Sequence, residues 1–296
     1  MNVGLGECAA LLTACMWAGS AMFFSRASLA IGSFLVTQIR LPFAVCILSI
    51  LVLATSGSPA FAGLSNRSLL LLATSGLVGL TFGDITLFRS YLYLGPRRTS
   101  LVMSTTPIWV ALLGALILHE PVSSRVWFGM FVTLSGVWLA LSSKVRTKAR
   151  LIDKKWVGIT LALLGSGGQA LGLVLAKEGM GDISPVVATL IRMSAALLGG
   201  VFMISVSRKW KSVGKALKNK RGMKFTLFGT IVGPVLGVSL SLYAIQNASV
   251  ALAACLMAMA PIVIIPLAIK FDGEKIGLMG VLGTLVAFAG VVILLT

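Results

Sequence analysis

Apolar runs long enough to cross a bilayer recur from one end of this 296-residue chain to the other, and that single feature leaves few folds open. Within hydrocarbon every backbone N–H and C=O must find its partner inside the protein, so a spanning segment of this kind is a helix of about 20 residues. Ten such spans read from the sequence, at 5–24, 34–55, 68–94, 98–118, 124–143, 156–176, 185–206, 222–246, 248–269 and 275–295. Connections are short except at 144–155 and 207–221, which leaves no room for a soluble domain. Hydrophobic residues make up 57% of the chain and charged ones 11%, against about 25% charged in a soluble domain, and the mean hydropathy is +1.01. An all-α integral membrane protein is expected. The apolar N-terminal stretch lacks the basic start of a cleaved leader and reads as the first helix.

A formal net charge of +17 raises the question of nucleic acid, and the placement of the bases answers it. They fall in alternate connections. The odd-numbered ones carry Arg26; Arg97 and Arg98; Lys144, Arg146, Lys148, Arg150, Lys154 and Lys155; Arg208, Lys209, Lys211, Lys215, Lys218, Lys220, Arg221 and Lys224; and Lys270 and Lys275. The even-numbered ones carry Arg67, Arg125 and Lys177. The positive-inside rule puts the first set in the cytoplasm and both termini outside a plasma membrane, with anionic headgroups rather than nucleic acid as the partner of the basic loops. Cys8, Cys15, Cys46 and Cys255 all fall within spans, without a CxxC pair or paired histidines. They are expected to pack as small apolar groups, and neither metal nor cofactor is expected.

The chain reads as a duplication. Shifted by 152, "TQIRLP" (37–42) falls on "TLIRMS" (189–194), matching Thr37 with Thr189, Ile39 with Ile191 and Arg40 with Arg192, and Gly6 with Gly158. A shift of 154 matches Gly79 with Gly233, Gly83 with Gly237, Met103 with Met257, Pro107 with Pro261, Glu120 with Glu274, Gly129 with Gly283, Gly136 with Gly290 and Val137 with Val291. Two five-helix units follow, 1–150 and 151–296. Because five is odd, the second enters the membrane with opposite orientation, giving an inverted repeat around a central cavity.

The five-helix unit, the tryptophan of "MWAGSAMFFSR" in the first span, and the signature "STTPIWVALLGALILHEPVS", repeated as "MAMAPIVIIPLAIKFDGEKI", resemble EamA-type transporters of the drug/metabolite transporter superfamily. The resemblance covers nearly the whole chain. It implies movement of a small metabolite, such as an amino acid, purine or sugar phosphate, through a cavity lined by the first, third and fourth helices of each half.

Four charges lie within the spans: Arg40, Asp84, Arg89 and Arg192. Each costs roughly 2.5–3.5 kcal/mol at a helix centre unless paired, snorkelling or facing water. Arg40 and Arg192 lie about six residues, roughly 9 Å, from opposite membrane faces and are within snorkelling reach. Arg89 is nearer its helix end and reads as interfacial. Asp84 is the deepest, on a side chain too short to snorkel, and needs a partner. Arg40, at a depth differing by about 5 Å on the neighbouring antiparallel span, is the expected one; Arg89, five residues on, does not share its helical face. The repeat puts Val238 opposite Asp84, so Arg192 has no matching acid. It reads either as a cation held for an anionic or zwitterionic solute, for which its planar fork is suited, or as a group reaching backbone carbonyls or headgroups.

Further polar groups at similar depth are Trp17 and Gln169, at equivalent positions of the first and sixth spans, with Tyr91, Tyr93, Gln246 and Asn247. The resemblance implies that some of these face the solute. Gly79 and Gly83, and Gly229, Gly233 and Gly237, recur every fourth residue and are expected at close helix contacts. Pro107, Pro234 and Pro261 remove backbone bonds within spans and mark bends or hinges. Glu120 and Glu274 close the fourth helix of each half at opposite membrane faces and read as exposed terminal or gate-stabilising groups rather than solute ligands.

The expected function is a secondary transporter, in the exporting direction, for a small anionic or zwitterionic metabolite, acting by alternating access as a monomer or homodimer. Two alternatives stand beside it: a proton-coupled organic-cation exporter that uses Asp84, and a lipid-handling membrane protein. An enzyme is not expected, since the one histidine, His119 in "HEPVS", lacks the second histidine of a zinc helix.

Overall fold

The computed structural model describes residues 4–56, 64–142, 154–263, 265 and 277–296. Glu274, Lys270, Lys275, the basic residues of 144–153 and the side chains of Tyr91, Arg97 and Arg98 lie outside the described residues.

No strand occurs among the described residues. The helices run α1 (Leu5–Ile31), α2 (Ser33–Ser56), α3 (Asn66–Ser75), α4 (Asp84–Met103), α5 (Thr106–Ile117), α6 (Ser124–Ser142), α7 (Lys155–Met180), α8 (Pro185–Val206), α9 (Trp210–Leu217), α10 (Lys220–Thr230), α11 (Val238–Asn247), α12 (Val250–Met257) and α13 (Leu278–Leu295). Two π-helical stretches, Gly76–Gly83 and Ile231–Gly237, join α3 to α4 and α10 to α11 without breaking either helix. Among the described residues, 8 helices are long and apolar enough to cross a membrane, two of them being α3 with α4 and α10 with α11, each joined through its π stretch. The chain is a multi-pass membrane protein.

The predicted fourth span takes a different form, as a short helix at Thr106–Ile117, and of the predicted ninth the described residues form an apolar helical stretch at Val250–Val263. The cause is local. A turn at Ser104–Thr105, closed by Thr105 N–H donating to Val102 C=O at 3.1 Å, precedes Pro107 in the first turn of α5. Met259 N–H donates to Leu256 C=O at the same 3.1 Å, two residues before Pro261. A proline has no N–H to give and is suited to start a helix after such a turn, so Pro107 opens a helix rather than bending one.

Small residues set the packing. In α7 a Cβ added to Gly172 would lie 2.7 Å from the Gly79 Cα, and one added to Gly136 of α6 would lie 2.2 Å from the Ala287 backbone nitrogen of α13. Backbones this close gain van der Waals contact, which drives helix association where lipid tails are as apolar as leucine. The principal partners come from opposite halves of the chain: α1 rests on α10, α11 and α12; α7 on α3, α4 and α5; α2 on α8; and α6 on α13. The two halves of the sequence therefore interlock.

Large apolar side chains such as Phe131 and Leu198 are exposed on the outer surface, as expected where that surface faces acyl chains. The cysteines correct the reading of uniform burial: Cys255 is buried, whereas Cys8, Cys15 and Cys46 are exposed. In a spanning helix the lipid face is as apolar as the core, so hydropathy does not separate the two.

Candidate transport site

The third predicted span is α3, the first π stretch and α4 together. Asp84 opens α4 at the point where the backbone returns from π to α geometry, and it is buried. An extra residue per turn re-aims the side chains that follow it, which is one reason π turns gather at functional sites. Arg40 of α2 donates through Nη2 to Asp84 Oδ2, forming the ion pair expected from depth alone. The guanidinium also lies over the Phe24 ring of α1, 5.7 Å from its centroid, a cation–π contact. Arg89 is exposed and takes no part.

Gln169 of α7 completes the arrangement, donating from Nε2 to Asp84 Oδ1 at 3.2 Å. Both carboxylate oxygens thus have donors, one of them charged. Gln169 reaches Asp84 because α7 packs directly on the glycines before it: a Cβ added to Gly83 would lie 3.1 Å from the Gln169 Cγ. One turn earlier on α7, Ser166 bonds the Thr105 and Thr106 hydroxyls at 3.1 and 3.0 Å, so a polar seam runs from Asp84 toward the start of α5.

Arg192 of α8 is in a different state. It is 4% exposed, and its Nε and Nη1 are buried without a hydrogen-bond partner. Its main chain presses on the first π stretch, where a Cβ added to Gly76 would lie 2.2 Å from the Arg192 carbonyl oxygen, and one added to Gly79 would lie 3.7 Å from Nη2. An alanine-sized group at Gly76 would collide with the Arg192 main chain, whereas one at Gly79 would only touch its guanidinium at van der Waals distance.

Trp17 of α1 lies against Gly237, whose added Cβ would sit 2.9 Å from Cδ1 and 3.0 Å from Nε1, and Ser20 lies against Gly233. Pro234 sits inside the second π stretch, where its missing N–H and its ring disrupt ordinary α-helical bonding. Gln246 and Asn247 stand apart. Gln246 Nε2 donates to the Gly181 and Ile183 carbonyls at 2.8 and 3.3 Å, and Asn247 Nδ2 to the Tyr243 carbonyl at 2.9 Å. Both fasten the end of α11 rather than join the charged centre.

At that same end, Lys177 of α7 pairs with Glu120 at 2.6 Å and donates to the Ala248 carbonyl at 2.8 Å. The second Glu120 oxygen accepts the Val250 N–H at 2.9 Å. Glu120 thereby ties the end of α5 to the start of α12, a link that no motif announced.

A family model described as the EamA-like transporter family matches residues 4–142 and again 156–296. The chain belongs to the EamA-like transporter family. It is thus a membrane protein of the drug/metabolite transporter superfamily, and the charged centre just described lies within an EamA transporter. One solved crystal structure matches with a TM-score of 0.78 at 16% sequence identity, covering 99% of this chain and 96% of that one. At that identity the likeness speaks for the EamA chain's fold alone. No curated protein matches it.

Proposed function

We propose that this EamA protein is a secondary transporter that exports a small anionic or zwitterionic metabolite by alternating access, through a site centred on Arg192. The observation that carries the reading is the charge balance of the buried centre. Asp84 already has Arg40 and Gln169, while the Arg192 guanidinium is buried with two unpartnered nitrogens. A buried cation without a counter-charge costs several kcal/mol, and a solute carboxylate or phosphate removes that cost on binding. The same balance speaks against an organic cation bound at Asp84, whose charge is already matched.

The architecture in this proposal is ten crossings, as two inverted five-helix halves, 1–150 and 151–296, rocking about the site. The sequence repeat, the π stretch at matching places in each half, and the pairing of α1 and α7 with opposite halves support it. The basic connections are cytoplasmic, the termini outside, and the membrane the plasma membrane.

The test is solute uptake by purified protein in liposomes, across anionic, zwitterionic and cationic metabolites, with and without a pH gradient. Wild type is expected to carry anionic or zwitterionic solutes, and Arg192→Gln to weaken their apparent affinity at least tenfold. A folded Arg192→Gln variant with unchanged affinity, or transport restricted to cations and lost in Asp84→Asn, overturns the reading.

A further inference from the structure

The Arg40 centre has a counterpart in the second half that lacks one member. The repeat matches Arg40 with Arg192, Asp84 with Val238 and Gln169 with Trp17. The surroundings match too. Gly83 lies on Gln169 as Gly237 lies on Trp17, and Gly79 lies on Gly172 as Gly233 lies on Ser20. Each centre sits beside a π stretch. Ser239 donates to the Thr189 hydroxyl at 3.3 Å, bringing α11 and α8 together one residue from Val238 and about one turn from Arg192. In the first centre a guanidinium and a neutral amide N–H converge on one carboxylate. In the second, the guanidinium has two unpartnered nitrogens, the repeat puts the Trp17 indole N–H in the place of the neutral donor, and it puts valine where the acid would be.

Building on the proposed anion site, we infer that the solute carries a carboxylate that takes the place corresponding to the Asp84 carboxylate, beside Val238, held by Arg192 and the Trp17 indole. Asp84 in its own centre is then the protein's internal copy of the bound ligand. One unmatched positive charge selects a single carboxylate over dianions, and the pair of in-plane oxygens suits the guanidinium fork. Valine at 238 is part of the specificity, since it leaves the carboxylate position for the solute.

The inference is tested in two ways. In detergent, a thermal double-mutant cycle of Val238→Asp and Arg192→Gln measures whether a carboxylate at 238 reaches Arg192. Arg192→Gln is expected to lower Tm by several degrees more in the Val238→Asp background than in wild type; additive shifts overturn the placement. Binding of radiolabelled benzoate is then measured, with acetate, glycine, succinate and benzylammonium as competitors. Benzoate and at least one of the smaller monocarboxylates are expected to bind, and succinate to compete at least tenfold more weakly. Val238→Asp should abolish binding, Val238→Asn should retain it, and Trp17→Phe, which keeps an aromatic ring without the N–H, should weaken it about tenfold. Loss of anion transport in Arg192→Gln together with unchanged binding in Val238→Asp and Trp17→Phe sinks this inference and leaves the transport reading standing. Unchanged anion transport in Arg192→Gln sinks both.

Discussion

The Gln169 amide donates to the Asp84 carboxylate at 3.2 Å, so the acid that pairs with Arg40 is held by helices from both halves of the chain. Removing one member of this buried group leaves the others uncompensated. Arg40→Gln or Asp84→Asn alone is expected to cost about 3–5 kcal/mol, the range for breaking a buried ion pair. The double variant should recover a substantial part, because neither charge is then stranded. Thermal unfolding in detergent of the two single variants and the double closes the cycle; equal and additive losses contradict the pairing.

Asp84 and Arg40 were legible in the sequence because charges in the spans are few and a helix rises by a constant 1.5 Å per residue, which turns position into depth. Gln169 was visible as a polar residue at depth, but its partner depended on how α7 packs, which hydropathy does not encode. The first π stretch left no signal beyond Gly76, Gly79 and Gly83 and forms with no proline in it. Gln246 and Asn247 have the same polarity as true site residues, and only their contacts with the Gly181, Ile183 and Tyr243 carbonyls separate them. The exposed cysteines show the same limit: an apolar residue on a spanning helix can lie in the core or on the surface without a change in hydropathy.

Two glycines of α7 should respond to alanine in opposite ways. At Gly172 a methyl would meet the Gly79 Cα at 2.7 Å and the Ser75 carbonyl oxygen at 2.9 Å, all main-chain atoms. Gly172→Ala is therefore expected to cost about 1–3 kcal/mol by overpacking. At Gly167 nothing lies within 4 Å of the added carbon, and alanine in a helix interior is favoured over glycine by about 0.5–1 kcal/mol. Thermal stability of the two variants in the same detergent gives the comparison, and a shift of the same sign in both would refute the close approach of α7 to the first π stretch.

The tie at Glu120 should govern access to one end of the protein. A cavity of about 200 Å³ lies beside it, lined by residues including Ala111, Gly114, Ser249, Val250 and Ala251. Glu120 holds the Lys177 ammonium and the Val250 N–H together. A hydrogen bond to a charged group contributes about 1.5–3 kcal/mol, with the lower end fitting these partly exposed groups. Glu120→Gln then shifts an opening equilibrium by roughly tenfold. In a background freed of the native cysteines, Ala251→Cys, at a site 3% exposed, should react several-fold faster with a membrane-impermeant thiol reagent once Glu120→Gln is added. An unchanged rate would make the tie a packing contact only.

The proposed orientation rests on the charge asymmetry of the connections, nineteen bases in the odd-numbered set against three in the other. Each lysine or arginine near an anionic leaflet contributes about 1 kcal/mol, so the basic set outweighs the other by well over the energy needed to fix one insertion. Leu5→Cys and Lys218→Cys, both at exposed positions, report the two sides. Impermeant maleimide on intact cells should label Leu5→Cys and spare Lys218→Cys, with both labelled after permeabilisation. The reverse pattern would place the basic α9–α10 connection outside and overturn the proposed orientation. Equal labelling of both in intact cells would mean mixed insertion and would overturn the proposed single orientation.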